Sequence, residues 1–210
     1  VDTTEFVQPG MNQLHVCCID VSDTSFHAIG KQRLHNSGMF YTAQSGIWQT
    51  VWLEKVPETY VKSLKIEPDY DRKTLYVTAF LNKNVCIDIA RTALTVLGSG
   101  EPSHCEVRNQ GIMTVQGKSS PGVVRFQMAF SEFVPWTPDT PYLYDLQIRV
   151  VEDRIRSYAA MRCFSIEERN GRALFCLNHE PLFLNGVLDQ GYWPESLYTA
   201  PTEAALRQDI

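Results

Sequence analysis

Short segments in which apolar and polar residues alternate make up most of the chain. The first two lie at 14–19 and 46–54, and eight more follow at 61–66, 75–81, 85–97, 104–107, 111–115, 123–130, 143–151 and 156–166. A period of two residues sends successive side chains to opposite faces of a β-strand. Residues typical of turns separate these segments, and no helical period lies between them. The pattern predicts an all-β fold, an immunoglobulin-like antiparallel β-sandwich, and argues against a fully parallel sheet.

The last forty residues follow a different pattern. Two short apolar segments, 173–177 and 182–184, flank a turn and lead into the aromatic loop 189–194. A helix is expected next, with Thr199 as its cap, Pro201 in its first turn and Glu203 near its positive end. These elements form one βα unit, and a single βα unit does not fold alone.

Composition and charge narrow the class of protein. The chain has 210 residues, of which 44% are hydrophobic and 20% charged, so it can form one large or two small globular domains. Its net charge of −5 disfavours binding to nucleic acid or to an anionic membrane. No apolar stretch approaches the roughly 20 residues of a membrane span. We expect a soluble protein and, because it starts at Val1 without a leader and stops inside a helix, a piece of a longer one.

The cysteines and histidines indicate neither disulfides nor a metal site. Six cysteines occur, but Cys17 and Cys18 are adjacent and no Cys-x-x-Cys pair exists. We interpret them as reduced thiols that act as small core residues in a cytoplasmic protein. The five histidines are scattered without metal-ligand spacing, and the chain has no glycine-rich phosphate loop. We therefore expect no metal and no other cofactor.

Three runs carry a resemblance to a known family. They are 45–54 (SGIWQTVWLE), 136–144 (WTPDTPYLY) and 182–194 (LFLNGVLDQGYWP). In this order they resemble successive landmarks of glycoside hydrolase family 2, which includes β-galactosidases and β-glucuronidases. The resemblance covers nearly the whole chain. It implies a sugar-binding jelly roll followed by an immunoglobulin-like sandwich and a (β/α)8 barrel.

Mapped onto this chain, the resemblance implies three parts. Residues 1–56 correspond to the end of the jelly roll, 57–167 to the sandwich, and 168–210 to the first strand, loop and helix start of the barrel. Retaining glycosidases need two carboxyl groups about 5 to 5.5 Å apart, and the family carries both on later barrel strands. The family's Asn-Glu pair does not occur here. We therefore assign no catalytic residue and expect this chain alone to be inactive.

Two loops are candidates for sugar contact in an intact parent. Loops that follow barrel strands build the active site in this fold, which points to Asp189, Gln190, Tyr192 and Trp193. Aromatic rings suit the apolar face of a pyranose, and the polar pair suits its hydroxyls. The alternative is that Trp193 only packs the loop.

The second loop, 22–32, contains Lys31 and Gln32, and its family counterpart reaches toward the barrel mouth. The alternative interpretation of this segment is a solvated loop without a binding role.

Taken together, the sequence is interpreted as a non-catalytic fragment of a family 2 glycosidase whose parent hydrolyses β-glycosides, with the sandwich as a spacer. The alternative function is a stand-alone carbohydrate-binding or protein-interaction module. Exposed edges of the incomplete parts also predict self-association.

Overall fold

The chain forms two compact units. The structure, a computed structural model, describes residues 1–98 and 113–209. The first unit consists of Val1–Leu53 with Gly186–Ile210, and the second is Glu54–Asn185. The predicted strand at 104–107 lies outside the described residues.

The second unit contains eleven of the thirteen strands in the described residues. In chain order they are β3 (Val61–Asp69), β4 (Thr74–Leu81), β5 (Thr92–Gly98), β6 (Met113–Val115), β7 (Lys118–Ser120), β8 (Val123–Ala129), β9 (Tyr144–Val150), β10 (Asp153–Ala159), β11 (Phe164–Arg169), β12 (Arg172–Leu177) and β13 (Glu180–Pro181). One four-stranded sheet has the order β10-β9-β5-β6 and the other the order β3-β4-β8-β7. Every pairing in both sheets is antiparallel. The predicted antiparallel sandwich is confirmed.

Alternation along the central strands builds the core between the two sheets. On β8 and β9 every second residue is buried while its neighbours face outward. The largest side chains that are almost completely buried are Tyr144, Phe126, Leu75, Leu94, Leu146, Ile148 and Met161. Burial of this apolar surface is the main favourable term in folding. It also raises the pKa of the Tyr144 phenol to about 12.

One of the two threonines that are buried in the described residues, Thr92, has its hydrogen bonds satisfied. Thr92 donates its hydroxyl proton to the carbonyl of Ile89 at 2.8 Å and accepts from the backbone N–H of Gly117 at 2.9 Å. A buried hydroxyl without partners would cost free energy, whereas this one joins the start of β5 to the segment before β7.

Two predicted strands of the second unit are interrupted. The apolar segment at 85–97 becomes a strand only from Thr92, because a short 3-10 helix, Ile89–Arg91, precedes it. Asp88 caps that helix by accepting from the N–H of Ala90 at 3.0 Å. The segment at 156–166 forms two strands, β10 and β11, because Met161 between them turns into the core.

The predicted hairpin near the end of the second unit forms with a shifted boundary. β12 pairs with β11 and with β13, and Leu177 lies opposite Glu180. The turn is therefore only Asn178 and His179, both with positive φ, as a tight hairpin turn of the mirror-image type requires. The predicted strand at 182–184 is wrong, because the second strand of the hairpin ends at Pro181.

The first unit has little regular structure. Its strands are β1 (Gln32–Arg33) and β2 (Tyr41–Thr42), and its helix is α1 (Glu203–Asp209). The strands predicted at 14–19 and 46–54 are wrong: these residues pair with no strand in the described part of the chain, and their apolar side chains are mostly exposed. Alternation of apolar and polar residues identifies the face that a strand can bury. A strand also needs a neighbouring strand that forms hydrogen bonds with its backbone.

The helix forms where it was expected, but its cap differs from the prediction. Thr202 caps α1 by accepting from the N–H of Ala205 at 3.1 Å, and Pro201 precedes this cap. Thr199 instead donates its backbone N–H to Ser196. Among the described residues, no helix has the length and apolar character needed to cross a membrane.

The five described cysteines are free thiols, but most are not core residues. Cys17, Cys18 and Cys86 are exposed, Cys163 is half-buried and Cys176 is buried. The prediction of small core residues is thus right for Cys176 and wrong for the three exposed ones. The two adjacent cysteines are exposed because the strand predicted around them does not form.

Candidate functional site

Tyr41 organises the candidate site of the first unit. Its ring stacks on Tyr192 with a centroid distance of 4.5 Å and an interplanar angle of 24°. Its hydroxyl donates to Oε1 of Gln190 at 2.8 Å. The hydroxyl of Tyr192 in turn donates to the carbonyl of Thr42. Two aromatic rings and one amide side chain are thereby held together by contacts between strand β2 and the loop before α1.

The pairing of β1 with β2 places a second glutamine beside this tyrosine. Gln32 is the strand partner of Tyr41, and the N–H of Tyr41 donates to the carbonyl of Lys31 at 2.7 Å. Oε1 of Gln32 accepts from the N–H of Gln44 at 2.9 Å. Oε1 of Gln44 accepts from the N–H of Tyr198 at 2.9 Å. These bonds fix the loop backbone on both sides of the ring pair.

Local hydrogen bonds and one aromatic contact hold the rest of the loop. Asp189 accepts from the N–H of Gly191 at 2.8 Å, so its carboxylate forms a local turn. Trp193 and Leu197 exchange two backbone hydrogen bonds of 2.7 and 2.9 Å. Trp48 meets Tyr198 edge to face at 4.9 Å. A loop closed by such short-range bonds presents its side chains in a defined arrangement.

The chemistry available at this site is binding by stacking and hydrogen bonding. Partial burial and, less strongly, the neighbouring Tyr41 raise the pKa of Tyr192, so its phenol stays a hydrogen-bond donor at neutral pH. Asp189 is the single carboxylate among the six predicted site residues. Retaining glycoside hydrolysis needs two carboxyl groups at close range.

The structure brings together part of the predicted set. Gln190, Tyr192 and Gln32 meet around Tyr41, whereas Asp189 and Trp193 are engaged within their own loop. Lys31 contributes its carbonyl, and its side chain is exposed. The sequence-based prediction missed three residues of the site, Tyr41, Thr42 and Gln44. Their position just before the run at 45–54 was the only available signal.

A second polar cluster lies in the second unit and was also missed. Nδ1 of His179 lies 2.8 Å from Oε1 of Glu167, and Nε2 lies 2.7 Å from Oδ1 of Asp71. The Sγ atom of Cys163 is 3.7 Å from Nε2. Arg169 donates to the carbonyl of His179. We call Asp71, Cys163, Glu167, Arg169 and His179 the histidine cluster.

Charge in the histidine cluster favours the protonated imidazole. The hydrogen bond to Asp71 and then that to Glu167 raise the pKa of His179. Hydrogen bonds from Ser165 and from His179 lower the pKa of Glu167. Burial, followed by the charge of Asp71, raises the pKa of the Cys163 thiol, which disfavours the nucleophilic thiolate. In the described residues no three His, Cys, Asp or Glu side chains are placed to hold a metal ion.

Comparisons with known proteins point to one family. Residues 59–162 match the model of "Glycosyl hydrolases family 2". All of the chain is similar to part of the beta-galactosidase of Pseudoalteromonas haloplanktis, with 27% identity over 221 residues. It is also similar to part of the beta-galactosidase large subunit of Leuconostoc lactis, with 25% identity over 216 residues. The chain spans only 20% and 31% of the lengths of these relatives.

A solved structure agrees with the fold. The crystal structure of Ruminococcus gnavus beta-glucuronidase superposes with a TM-score of 0.52 and 18% identity. The match covers 73% of this chain and 24% of that one. At this identity the likeness concerns the fold alone.

Proposed function

Because this chain belongs to glycosyl hydrolases family 2, we propose that it is a non-catalytic portion of a longer family 2 glycosidase. The parent hydrolyses β-glycosides such as β-galactosides or β-glucuronides with retention of configuration. Its two catalytic carboxyl groups lie in barrel strands beyond Ile210, so residues 1–210 contribute no group that breaks the glycosidic bond. The thiols of the described cysteines support a cytoplasmic parent.

The proposal assigns a separate role to each of three parts of the chain. Residues 1–56 belong to the sugar-binding domain, 57–167 are the sandwich, and 168–210 begin the barrel. The sandwich is a spacer that fixes the sugar-binding domain against the catalytic domain. The observation that supports this role most strongly is its continuous core, in which side chains of both four-stranded sheets are buried together. A close-packed core makes the spacer rigid, and rigidity serves the orientation of substrate.

The candidate site has a binding role in the proposal. In the parent, Asp189, Gln190, Tyr192 and Trp193 contact the sugar, and Lys31 and Gln32 add polar contacts at its rim. Support comes from the bonds that hold Gln190 and Tyr192 against β2, since a binding side chain must be fixed before the ligand arrives.

Hydrolysis of chromogenic substrates tests the proposal. The purified chain is incubated with nitrophenyl β-galactoside and nitrophenyl β-glucuronide, with a complete family 2 β-galactosidase as the positive control. The expected result is no release of nitrophenol above the buffer blank. Turnover that co-purifies with the chain through two columns would contradict it.

A second function, a stand-alone carbohydrate-binding or protein-interaction module, is favoured by one observation. The stacked pair Tyr41 and Tyr192, with Gln190 beside it, is the kind of surface on which a sugar ring rests. Calorimetric titration with galactose and neutral galacto-oligosaccharides separates the two functions. If the chain is a spacer, the heat of binding does not saturate as sugar is added. If it is a binding module, the heat saturates when every protein molecule has bound sugar.

A further inference from the structure

The outer face of the sheet β10-β9-β5-β6 carries a row of arginines. On β10, Arg154, Arg156 and Tyr158 follow one another at every second position, and all three are exposed. Arg149 on β9 lies directly opposite Arg154. Alternate residues of a strand are about 7 Å apart and share one face, while opposite residues have Cβ atoms about 5 Å apart. We call Arg149, Arg154, Arg156 and Tyr158 the arginine face.

The arginines of this face have no anionic partner within the described chain. In residues 1–98 and 113–209, neither a hydrogen bond nor an ion pair involves the side chain of Arg149, Arg154 or Arg156. Like charges directly opposite on a sheet destabilise it, so the pair Arg149 and Arg154 carries a cost that a bound anion would remove. Arg91, by contrast, has an anionic partner, because its guanidinium group lies 2.7 Å from the carboxylate of Glu152.

The face leads at Tyr158 into a cleft of about 580 Å³. Trp136, Arg162 and Phe164 line this cleft together with Tyr158. The guanidinium carbon of Arg162 lies 4.5 Å from the centroid of the Trp136 ring and 5.2 Å from that of Phe164. A cleft of this volume accommodates a small ligand such as one or two sugar rings.

The stacking of Arg162 leaves its donors available. The guanidinium carbon lies over both aromatic rings, and a cation–π contact of this kind uses no hydrogen-bond acceptor. Within the part of the chain that the structure describes, these N–H groups have no acceptor. A planar fork of this kind, held in place by rings, matches a carboxylate or a sulfate in a bidentate geometry. Tyr158, 64% exposed, offers a ring beside it.

We propose that the arginine face and the adjoining cleft bind an acidic oligosaccharide, with a sugar ring on Tyr158 and its carboxylate or sulfate groups on Arg156 and Arg162. Arg149 and Arg154 bind the next acidic group along the glycan. This site shares no residue with the candidate site of the first unit and goes beyond the proposed spacer role, because it gives the sandwich a ligand of its own.

The surface favours a glycan over an acidic protein. Arg154 and Arg156 follow one another along β10, which ends at the exposed ring of Tyr158 and the cleft, and this line suits one extended chain of rings. Across the sheet from Arg156 lie Gln147, Thr95 and Thr114, and the two threonine hydroxyls are 3.0 Å apart. Such side chains bind sugar hydroxyls. Asp145, opposite Tyr158, is a carboxylate on this face and limits the affinity.

Titration of the full chain with defined oligosaccharides tests the proposal. The probes are a hexamer of galacturonate, a sulfated hexasaccharide and a neutral hexamer of galactose, each measured by calorimetry at low and at high salt. We expect saturable binding of at least one acidic hexamer, no saturation with the neutral one, and weaker binding at high salt because exposed charges are screened. The two acidic probes show whether carboxylate or sulfate is preferred. Binding of neither acidic hexamer would overturn the proposal.

Variants locate the site. Arg156→Gln and Tyr158→Ala should each weaken binding about tenfold, the loss expected for one charge-assisted contact or one stacked ring. Asp145→Asn should strengthen it. Arg125→Gln, an exposed arginine on β8 of the other sheet, is the matched control and should change nothing. Thermal unfolding checks that each variant folds.

Two outcomes would contradict the assignment even if acidic sugars bind. Equal weakening in Arg125→Gln would mean that the whole surface attracts anions without a site. Poly-glutamate that binds as tightly as the galacturonate hexamer, with no effect of Tyr158→Ala, would show an electrostatic contact with an acidic polypeptide.

Discussion

Nε2 of His179 lies 2.7 Å from Oδ1 of Asp71, a residue 108 positions earlier in the chain. Asp71 belongs to the turn between β3 and β4, and His179 to the turn between β12 and β13. The neighbouring Asn178 donates its side-chain amide to the carbonyl of Trp136 at 3.0 Å and accepts from the N–H of Cys163 at 3.0 Å. One two-residue turn therefore ties the hairpin at the end of the second unit to three distant segments of the sandwich.

This link makes the stability of the second unit depend on pH. The pKa of His179 is raised in the folded state, so its contribution is complete below its ordinary value of 6.5 and is lost as the pH rises through the folded pKa. The pKa of Glu167 is lowered, so its contribution is complete above 4.5 and is lost as the pH falls through the folded pKa. Together the two groups stabilise the fold most between these values.

Denaturant unfolding at a series of pH values measures the effect. We expect the midpoint to fall as the pH rises above neutrality, and we expect His179→Gln to remove that fall. His35→Gln, an exposed histidine of the first unit, is the control and should keep it. A decline in His179→Gln as steep as in the unchanged chain would contradict the assignment to this histidine.

Gly117 is required by a close approach to the core. A Cβ atom added there would lie 2.4 Å from Cγ1 of Val124 and 2.9 Å from Cε1 of Phe126, and both of these side chains are buried. Gly117→Ala should therefore destabilise the sandwich by about 1–3 kcal/mol through overpacking. The measurement is the urea midpoint at unchanged slope.

Gly186→Ala is the matched control for that experiment. A Cβ atom on Gly186 would meet no heavy atom of the described residues within 4 Å, and neither glycine has a positive φ. The control should change the free energy of unfolding by less than about 0.5 kcal/mol. Equal effects of the two substitutions would show that the contact at Gly117 is not the cause.

The sandwich could be predicted from the sequence because its signal is local. Along β8 and β9 each strand shows its own alternation, and burial follows it residue by residue. In the first unit the same alternation predicted strands that do not form. The run at 46–54 alternates just as clearly, yet Trp52 is 74% exposed, because the pattern does not reveal whether a partner strand is present.

The candidate site could be predicted only in part for a related reason. Gln190 and Tyr192 could be named as candidates from the sequence because they follow an apolar segment in a recognisable run. Tyr41 lies 149 residues before its hydrogen-bond partner Gln190, and no spacing rule connects them. His179 looked like a scattered histidine, since Asp71 and Glu167 reach it only after the sheets have formed.

Variants of Tyr192 test the organisation of the candidate site. Tyr192→Phe keeps the stack on Tyr41 and removes the bond to Thr42, whereas Tyr192→Leu removes both. The stacked pair contributes about 0.5–1.5 kcal/mol beyond its buried area. In proton NMR spectra, the ring-current shift of the Tyr41 protons should persist in Tyr192→Phe and vanish in Tyr192→Leu.

Tyr198→Leu is the control for the ring contact, because Tyr198 meets Trp48 and not Tyr41. It should leave the Tyr41 resonances where they are. A Tyr41 spectrum that is identical in Tyr192→Leu and in the unchanged chain would mean that the two tyrosines do not stack in solution.

Exposed apolar segments of the first unit predict self-association. Val51, Trp52 and Leu53 are each more than half exposed, as are Val187 and Leu188. Contiguous apolar surface of this kind is usually covered by protein. Sedimentation at increasing concentration should show a rising average mass, and Trp52→Ser with Leu53→Ser should lower it, whereas Thr50→Ser should not. A monomer at every concentration would contradict the prediction.

Covalent trapping tests the central claim, a family 2 scaffold without the catalytic pair. A retaining glycosidase forms a glycosyl ester on its nucleophilic carboxylate, and a 2-deoxy-2-fluoro-glycosyl fluoride makes that ester long-lived. Intact-mass spectrometry of the chain after incubation with the galactosyl and glucuronyl reagents should show the unmodified mass, while a complete β-galactosidase shows one added fluorosugar with the galactosyl reagent. A single stoichiometric fluorosugar mapped to an aspartate or glutamate of this chain would contradict the account.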